Sequence, residues 1–184
     1  MPRNYVEIEV RDAEGRLTES RGFESESYVI AFVDIFQGLL AQVVRTVTDT
    51  GGVARSAANN GMMDYTSPVS IASRGIVVGT GVAAVAITDT KLGTQIAEGT
   101  GATQMHHIAQ EFTAPSTSGS TRSYTTTRAI LNDSGAGITV NECGIYALHN
   151  AFNFCVIRYL VSPGILVANL GTIPIRYMIG VTAS

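Results

Sequence analysis

Tryptophan is absent from this sequence, and only 15% of its 184 residues are charged. Globular domains average about 25% charged residues, so the surface of this chain is unusually poor in charge. The 12 Lys and Arg residues are scattered singly and the formal net charge is -3, which leaves no basic patch for nucleic acid or for an acidic membrane. A subunit that hides much of its surface against neighbouring subunits would have this composition.

Cysteine is also scarce. Cys143 and Cys155 are too few for a disulfide scaffold, and they lack the paired spacing of a zinc site. We expect both to be small buried hydrophobic side chains in a reducing compartment.

Long hydrophobic runs are missing as well. The longest, residues 28–44, is interrupted by Asp34, Gln37 and Gln42 and falls short of the roughly 20 residues that span a bilayer. Charged residues near the N-terminus occupy the place where a signal peptide needs its apolar run. We therefore expect no membrane insertion, and synthesis and assembly in a cytoplasm.

The N-terminal part of the chain predicts a half-exposed hairpin followed by a helix. Residues 6–10 alternate Val or Ile with Glu, and the polar residues 12–15 can turn the chain back. Ser25 or Ser27 could then cap a helix. Its apolar positions recur at helical spacing, namely Ile30, Val33, Phe36, Leu40 and Val43 or Val44.

The predicted helix is apolar over most of its circumference. Phe32, Ile35 and Leu39 widen the apolar stripe almost to a full cylinder, and such a helix must be covered on several sides. Two arrangements meet this need: the helix packs across its own sheet, or another subunit covers it. In the second arrangement the interface residues would be Phe32, Phe36, Leu39, Leu40, Val43 and, from the last strand, Tyr177.

Short β-like runs separated by turn signals fill the chain after residue 70. They cover residues 75–78, 94–97, 105–112, 123–131, 138–148, 152–161 and 172–181. This pattern predicts a mainly β fold, an antiparallel jelly-roll-like β-sandwich with one N-terminal apolar helix. The predicted organisation is a hairpin and helix in 1–50 that serve as an arm for assembly, an irregular connection in 51–70, and the β-sandwich in 71–184.

Turn positions predict two cross-strand neighbours. A tight turn centred on Gly135 would place Arg128 opposite Glu142 as a structural ion pair, unless the register is off by one or two residues. A hairpin around His149 would place Cys143 opposite Cys155.

Several patterns that could carry chemistry are present, but their context is wrong. Residues 79–84 match the loose G-x-G-x-x-A dinucleotide pattern, with Glu98 downstream, yet no long helix or strand-helix alternation follows. His106 and His107 are adjacent on a predicted strand, so their side chains should point to opposite faces and cannot chelate one ion together. We predict no catalytic residue, no cofactor and no metal site.

Several segments resemble structural proteins predicted from tailed-bacteriophage and prophage genomes. They are residues 75–81 with 88–89, 95–97 and 99–101, then 127–128, 132–135, 138–140 and 144–146 with Glu142, and the N-terminal hairpin and helix leading into 47–51. The resemblance covers nearly the whole chain, although Cys143 stands where an aliphatic residue is commoner in that group.

This resemblance implies a virion component, assembled in the host cytoplasm as a homo-oligomer, a trimer or hexamer, with copies of itself and other virion proteins as partners. A subunit of the tail, baseplate or adaptor region is the first expectation, and a decoration protein on the capsid shell is the alternative. A carbohydrate-binding module of an adsorption fibre is a second alternative. It would need exposed aromatic side chains, whereas most Tyr and Phe residues here lie inside apolar runs.

Overall fold

The computed structural model describes residues 2–25, 28–57 and 61–182, and it confirms the mainly β fold class. Within these residues there is one helix, α1 (Ile30–Ala41). The strands are β1 (Pro2–Arg11), β2 (Leu17–Ser25), β3 (Arg45–Thr48), β4 (Ala54–Ala57), β5 (Gly75–Gly79), β6 (Ala97–Glu98), β7 (Gln104–His107), β8 (Glu111–Phe112), β9 (Ser116–Ser118), β10 (Thr121–Leu131), β11 (Ile138–His149), β12 (Phe152–Val167) and β13 (Thr172–Thr182).

The larger sheet has the strand order β2-β1-β13-β10-β7-β6, and β8 and β9 also pair with β10. The last strand, β13, lies inside this sheet because β1 pairs with one of its edges and β10 with the other. Ile173, Ile175 and Tyr177 of β13 lie at alternate positions and therefore share one face of the strand, and all three are fully buried. The predicted N-terminal hairpin is thus an integral part of the main sheet and not a free arm.

The smaller sheet has the strand order β12-β11-β5. Its β11–β12 hairpin turns at residues 150–151, and irregularities in the pairing shift the register further along the strands. Counted from this turn, Cys155 faces Tyr146, and beyond the first irregularity Cys143 faces Tyr159. The predicted pairing of Cys143 with Cys155 is wrong, mainly because the hairpin turns at residues 150–151 and not at His149, and the irregularity between Ile145 and Tyr146 shifts the register further.

One hydrophobic cluster draws buried residues from both of these sheets, including Ile8, Ile130 and Ile175 of the larger one and Val140 and Ile165 of the smaller one. A second cluster joins α1 to the smaller sheet. Cys143 lies in the first cluster and Cys155 in the second, and both are buried and free. The prediction that the cysteines act as small buried side chains is confirmed.

The helix begins without a side-chain cap. Its N-cap residue is Val29, whose side chain makes no capping hydrogen bond, so Ser25 is not the cap. Ser27 lies outside the described residues. The helix ends where Gln42 adopts a left-handed conformation, and β3 and β4 then form a small hairpin. Part of the predicted irregular connection is therefore regular structure.

Candidate functional site

The six predicted interface residues divide into three groups. Phe36, Leu40 and Val43 are exposed to 49%, 70% and 44%. Phe32 and Leu39 are partly buried against the two core clusters. Tyr177 is fully buried and donates a hydrogen bond to Cys143 Sγ at 3.1 Å. Tyr177 is thus a core residue, because its face of β13 points into the protein, and it cannot contact another subunit.

The orientation of α1 explains this division. Ala31 and Ile35 belong to the second cluster and Gly38 is buried on the same side of the helix, so the residues on the opposite side face outward. The large apolar residues of this outward face of α1 are Ile30, Val33, Phe36 and Leu40, all of them exposed, and Gln37 is an exposed polar residue among them. A helix of a globular protein usually carries polar residues on its solvent side, so this apolar outward face needs a separate explanation.

A row of aromatic rings connects the outward face of α1 with the interior. Phe32 stacks on Tyr28 with ring centroids 4.2 Å apart, and on Phe36 at 5.8 Å. Tyr28 and Phe32 also line a cleft of ≈ 130 Å³, where the Tyr65 and Tyr124 hydroxyl groups hydrogen-bond to each other. The lining is mostly apolar, so the cleft offers apolar contact more than polar recognition.

Arg128 does not pair with Glu142. The two residues lie in different sheets, since β10 pairs with β13 and β11 pairs with β12 and β5. The prediction failed because the turn near Gly135 connects two sheets and does not close a hairpin. Each of the two charges has its own set of partners.

The guanidinium group of Arg128 is fully buried and donates hydrogen bonds only to backbone carbonyl groups. The acceptors are the carbonyl oxygens of Pro68, Ile71, Arg74, Ile76 and Ile108, at 2.6–3.2 Å. All the N–H donors of an arginine are thereby used. Burial lowers the pKa of Arg128 to about 10, and the charge of Glu98 acts in the opposite direction. Arg128 therefore fixes the loop from Pro68 to Arg74 against β10.

Glu142 holds a second loop in place, as a buried anion that accepts hydrogen bonds from backbone N–H groups. Its carboxylate is fully buried and accepts hydrogen bonds from the backbone N–H groups of Gly81, Gly93 and Thr94, at 2.8–3.1 Å. The Arg158 Nε donates a further hydrogen bond at 2.9 Å. These contacts hold residues 80–94, which we call the strap, against the smaller sheet.

Arg158 extends the attachment of the strap. Its guanidinium group forms an ion pair with Asp89 at 2.6 Å and donates to the carbonyl oxygens of Ala83 and Ala84. Burial alone would lower the pKa of Arg158, but the bonds to Asp89 and Glu142 outweigh it and raise the pKa above its ordinary value. Sequence reasoning missed Arg158, although a single charge inside an apolar strand was the available signal.

The two glycines of the G-x-G pattern, Gly79 and Gly81, lie against the Glu142 side chain of the same chain. A Cβ atom at Gly79 or at Gly81 would overlap the Glu142 side chain, so glycine allows the backbone to approach this carboxylate. Glycine-rich phosphate loops meet the same requirement, but here the anion belongs to the chain itself.

A second polar cluster lies on β6 and β7. The Glu98 carboxylate contacts His106 Nδ1 at 2.5 Å and His107 Nδ1 at 3.1 Å, so one acceptor bridges both imidazoles. His107 is fully buried and its Nε2 has no hydrogen-bond partner. Burial, followed by the charge of Arg128, lowers the pKa of His107 to about 4.

Within residues 2–25, 28–57 and 61–182, no group of three or more His, Cys, Asp and Glu side chains is placed to hold a metal ion. The helix in the same part of the chain is too short to cross a membrane.

Comparisons with family models, with curated proteins and with solved structures find no match for this chain.

Proposed function

We propose that the chain is a structural subunit of a tailed-virus particle, placed in the tail, baseplate or adaptor region and assembled in the host cytoplasm. It acts by packing against other subunits, as a trimer or hexamer with copies of itself and with other virion proteins. The resemblance of its sequence to predicted phage structural proteins and its low content of charge support this assignment.

The outward face of α1 is the observation that carries the proposal. Ile30, Val33, Phe36 and Leu40 are each 45–70% exposed, and Val43 and Val44, which follow the helix, are exposed as well. Contiguous apolar surface of this kind mostly marks interaction sites in soluble proteins. Burying it against a neighbouring subunit would add roughly 1 kcal/mol or more for each large side chain.

We further propose that the two main sheets form a jelly-roll-like β-sandwich. The first hydrophobic cluster supports this description, since its members come from inner positions of both sheets. An experimental structure of the assembled particle would test both the sandwich and its neighbours.

The double substitution Phe36→Asp and Leu40→Asp tests the proposed contact. We expect it to abolish self-association while leaving the melting temperature within a few degrees, because both side chains are about half exposed or more. Leu170→Asp is the matched control, since Leu170 is 53% exposed and lies in the turn between β12 and β13. Sedimentation velocity measures the assembly state, and circular dichroism measures the fold.

Two results would contradict the proposal. If the double variant assembles like the wild type, the outward face of α1 is not the contact surface. If the variant unfolds, the helix belongs to the core of its own subunit.

Quantitative mass spectrometry of purified particles distinguishes the position in the virion. A tail or adaptor ring requires a small multiple of three or six copies per particle, whereas a decoration protein would occur in hundreds of copies. Absence from the particle would refute the virion assignment.

A further inference from the structure

The strap contains an apolar segment that the proposed function does not yet include. Residues 82–87 read Val-Ala-Ala-Val-Ala-Ile, and five of the six are exposed. Val82 and Ile87 are 73% and 68% exposed, among the highest values of the large apolar residues. A consecutive run of exposed apolar residues is unfavourable in a soluble protein unless it serves an interaction.

This segment is held in one conformation by polar contacts on its inner side. Arg158 binds the carbonyl oxygens of Ala83 and Ala84, and the Asp89 carboxylate accepts from the Ala86 N–H at 2.8 Å. Glu142 fixes both ends of the strap through Gly81 and Thr94. A surface that is already ordered loses little conformational entropy on binding, which favours its use as a contact site.

The apolar segment continues the outward face of α1. The N–H of Ile30, the first helical residue, donates to the carbonyl oxygen of Ile87 at 2.9 Å. The start of the helix and the end of the segment are therefore in direct contact, and together they form one apolar surface.

The size of this combined surface matches a protein interface. Its large residues are 45–73% exposed. With roughly 150–200 Å² for each when fully exposed, they present about 650 Å², within the range of roughly 600–1,000 Å² that each partner buries in a stable interface. The residues are Ile30, Val33, Phe36, Leu40, Val82 and Ile87.

The spacing along α1 favours a second copy of the chain as the partner. Ile30, Val33 and Leu40 lie at steps of three and seven residues, the heptad spacing of a helix that packs against an equivalent helix, and Gln37, which accepts a hydrogen bond from Arg45 at 2.6 Å, is the polar member of this stripe. Asp34, at the edge of this stripe, is the one charged residue within α1. Two equivalent helices therefore bring few like charges together when they approach each other.

We propose that a second copy of this chain covers the apolar segment 82–87 together with the outward face of α1, and that Glu142, Arg158 and Asp89 are positioning residues for this contact. The inference rests on the proposed function, because it extends the subunit contact that begins at α1.

The test is a sedimentation velocity series over protein concentration with Val82→Asp and Ile87→Asp combined. We expect self-association at least about tenfold weaker than in the wild type, whereas Leu170→Asp should change it less than twofold. An unchanged melting temperature would show that the fold is intact.

A single introduced tryptophan supplies a second measurement, since the chain has none. Emission from Ile87→Trp should shift to shorter wavelength as the protein associates, and emission from Leu170→Trp should not. An emission spectrum of Ile87→Trp that is independent of concentration while the protein associates would overturn the inference.

The outcomes separate this inference from the proposed function. If the strap variant associates like the wild type while the Phe36→Asp, Leu40→Asp variant does not, the strap lies outside the interface and only this inference fails. If the wild type stays monomeric at every concentration, both self-association claims fail.

Discussion

Acidification should destabilise this protein through one buried imidazole. His107 Nδ1 lies 3.1 Å from both the Glu98 carboxylate and the Met105 carbonyl oxygen, so Nδ1 carries the proton of the neutral ring. Protonation would place a second N–H at Nε2, where no acceptor is available, beside the charge of Arg128. The native state therefore favours neutral His107.

The size of the effect follows from the two pKa values. The pKa of His107 is about 4 in the folded protein, against an ordinary value of 6.5. Between these values the unfolded chain binds more protons, so stability is fully present above pH 6.5 and is lost as the pH falls. At pH 4 the loss is about 3 kcal/mol, a large fraction of the stability of a typical domain. Burial alone would raise the pKa of Glu98, but hydrogen bonds from both histidines outweigh it and lower the pKa. Protonation of Glu98 therefore also lowers the free energy of unfolding as the pH falls.

Urea unfolding of the wild type and of His107→Asn, measured at several pH values from 7 down to about 4, isolates this contribution. Asparagine can keep the hydrogen bond that Nδ1 makes but cannot titrate. We expect the free energy of unfolding to fall less steeply in the variant, by about 3 kcal/mol over this range. Equal pH dependence in both proteins would refute the assignment of a neutral, depressed His107.

Three further predictions concern other buried groups. Arg128→Lys should lower the free energy of unfolding by about 3 kcal/mol in urea titrations, because an ammonium group cannot satisfy five carbonyl oxygens. The same substitution should speed amide exchange in residues 68–76. A variant as stable as the wild type would contradict this. Asn132→Ala should lower the free energy of unfolding by about 2 kcal/mol, since the buried side-chain amide of Asn132 donates to the carbonyl oxygens of Ala136, Val167 and Ala168. A decrease smaller than the error of denaturant unfolding would contradict this role. Burial raises the pKa of Cys143 and of Cys155 to about 12, so a thiol reagent at neutral pH should label neither until the protein unfolds.

The elements that could be predicted are those with a strong local signal. The N-terminal hairpin, the strand near residue 75 and the last three long strands all occur close to their predicted places. The alternation in β13 places Ile173, Ile175 and Tyr177 on one face, and all three are buried, so Tyr177 is not part of the predicted interface. A pattern of alternation shows that one face is inside without showing whether a subunit or a sheet covers it.

The partners of buried charges could not be predicted in this way. Counting from the turn near Gly135 assumed that β10 and β11 are hydrogen-bonded neighbours, whereas they belong to different sheets. Arg128 and Glu142 instead bind backbone groups of loops 20 to 61 residues away along the chain. No local pattern encodes such contacts, because carbonyl and N–H groups are present at almost every residue.

The sequence by itself determined the mainly β class, the buried cysteines and the low content of charge, because each depends on composition or on the spacing of neighbouring residues. Only the tertiary structure decided which sheet each strand joins, which side of α1 faces outward, and which loops the buried charges hold. These features depend on contacts between distant parts of the chain, where the requirement to satisfy buried charges and backbone groups selects one arrangement among many that fit the local pattern.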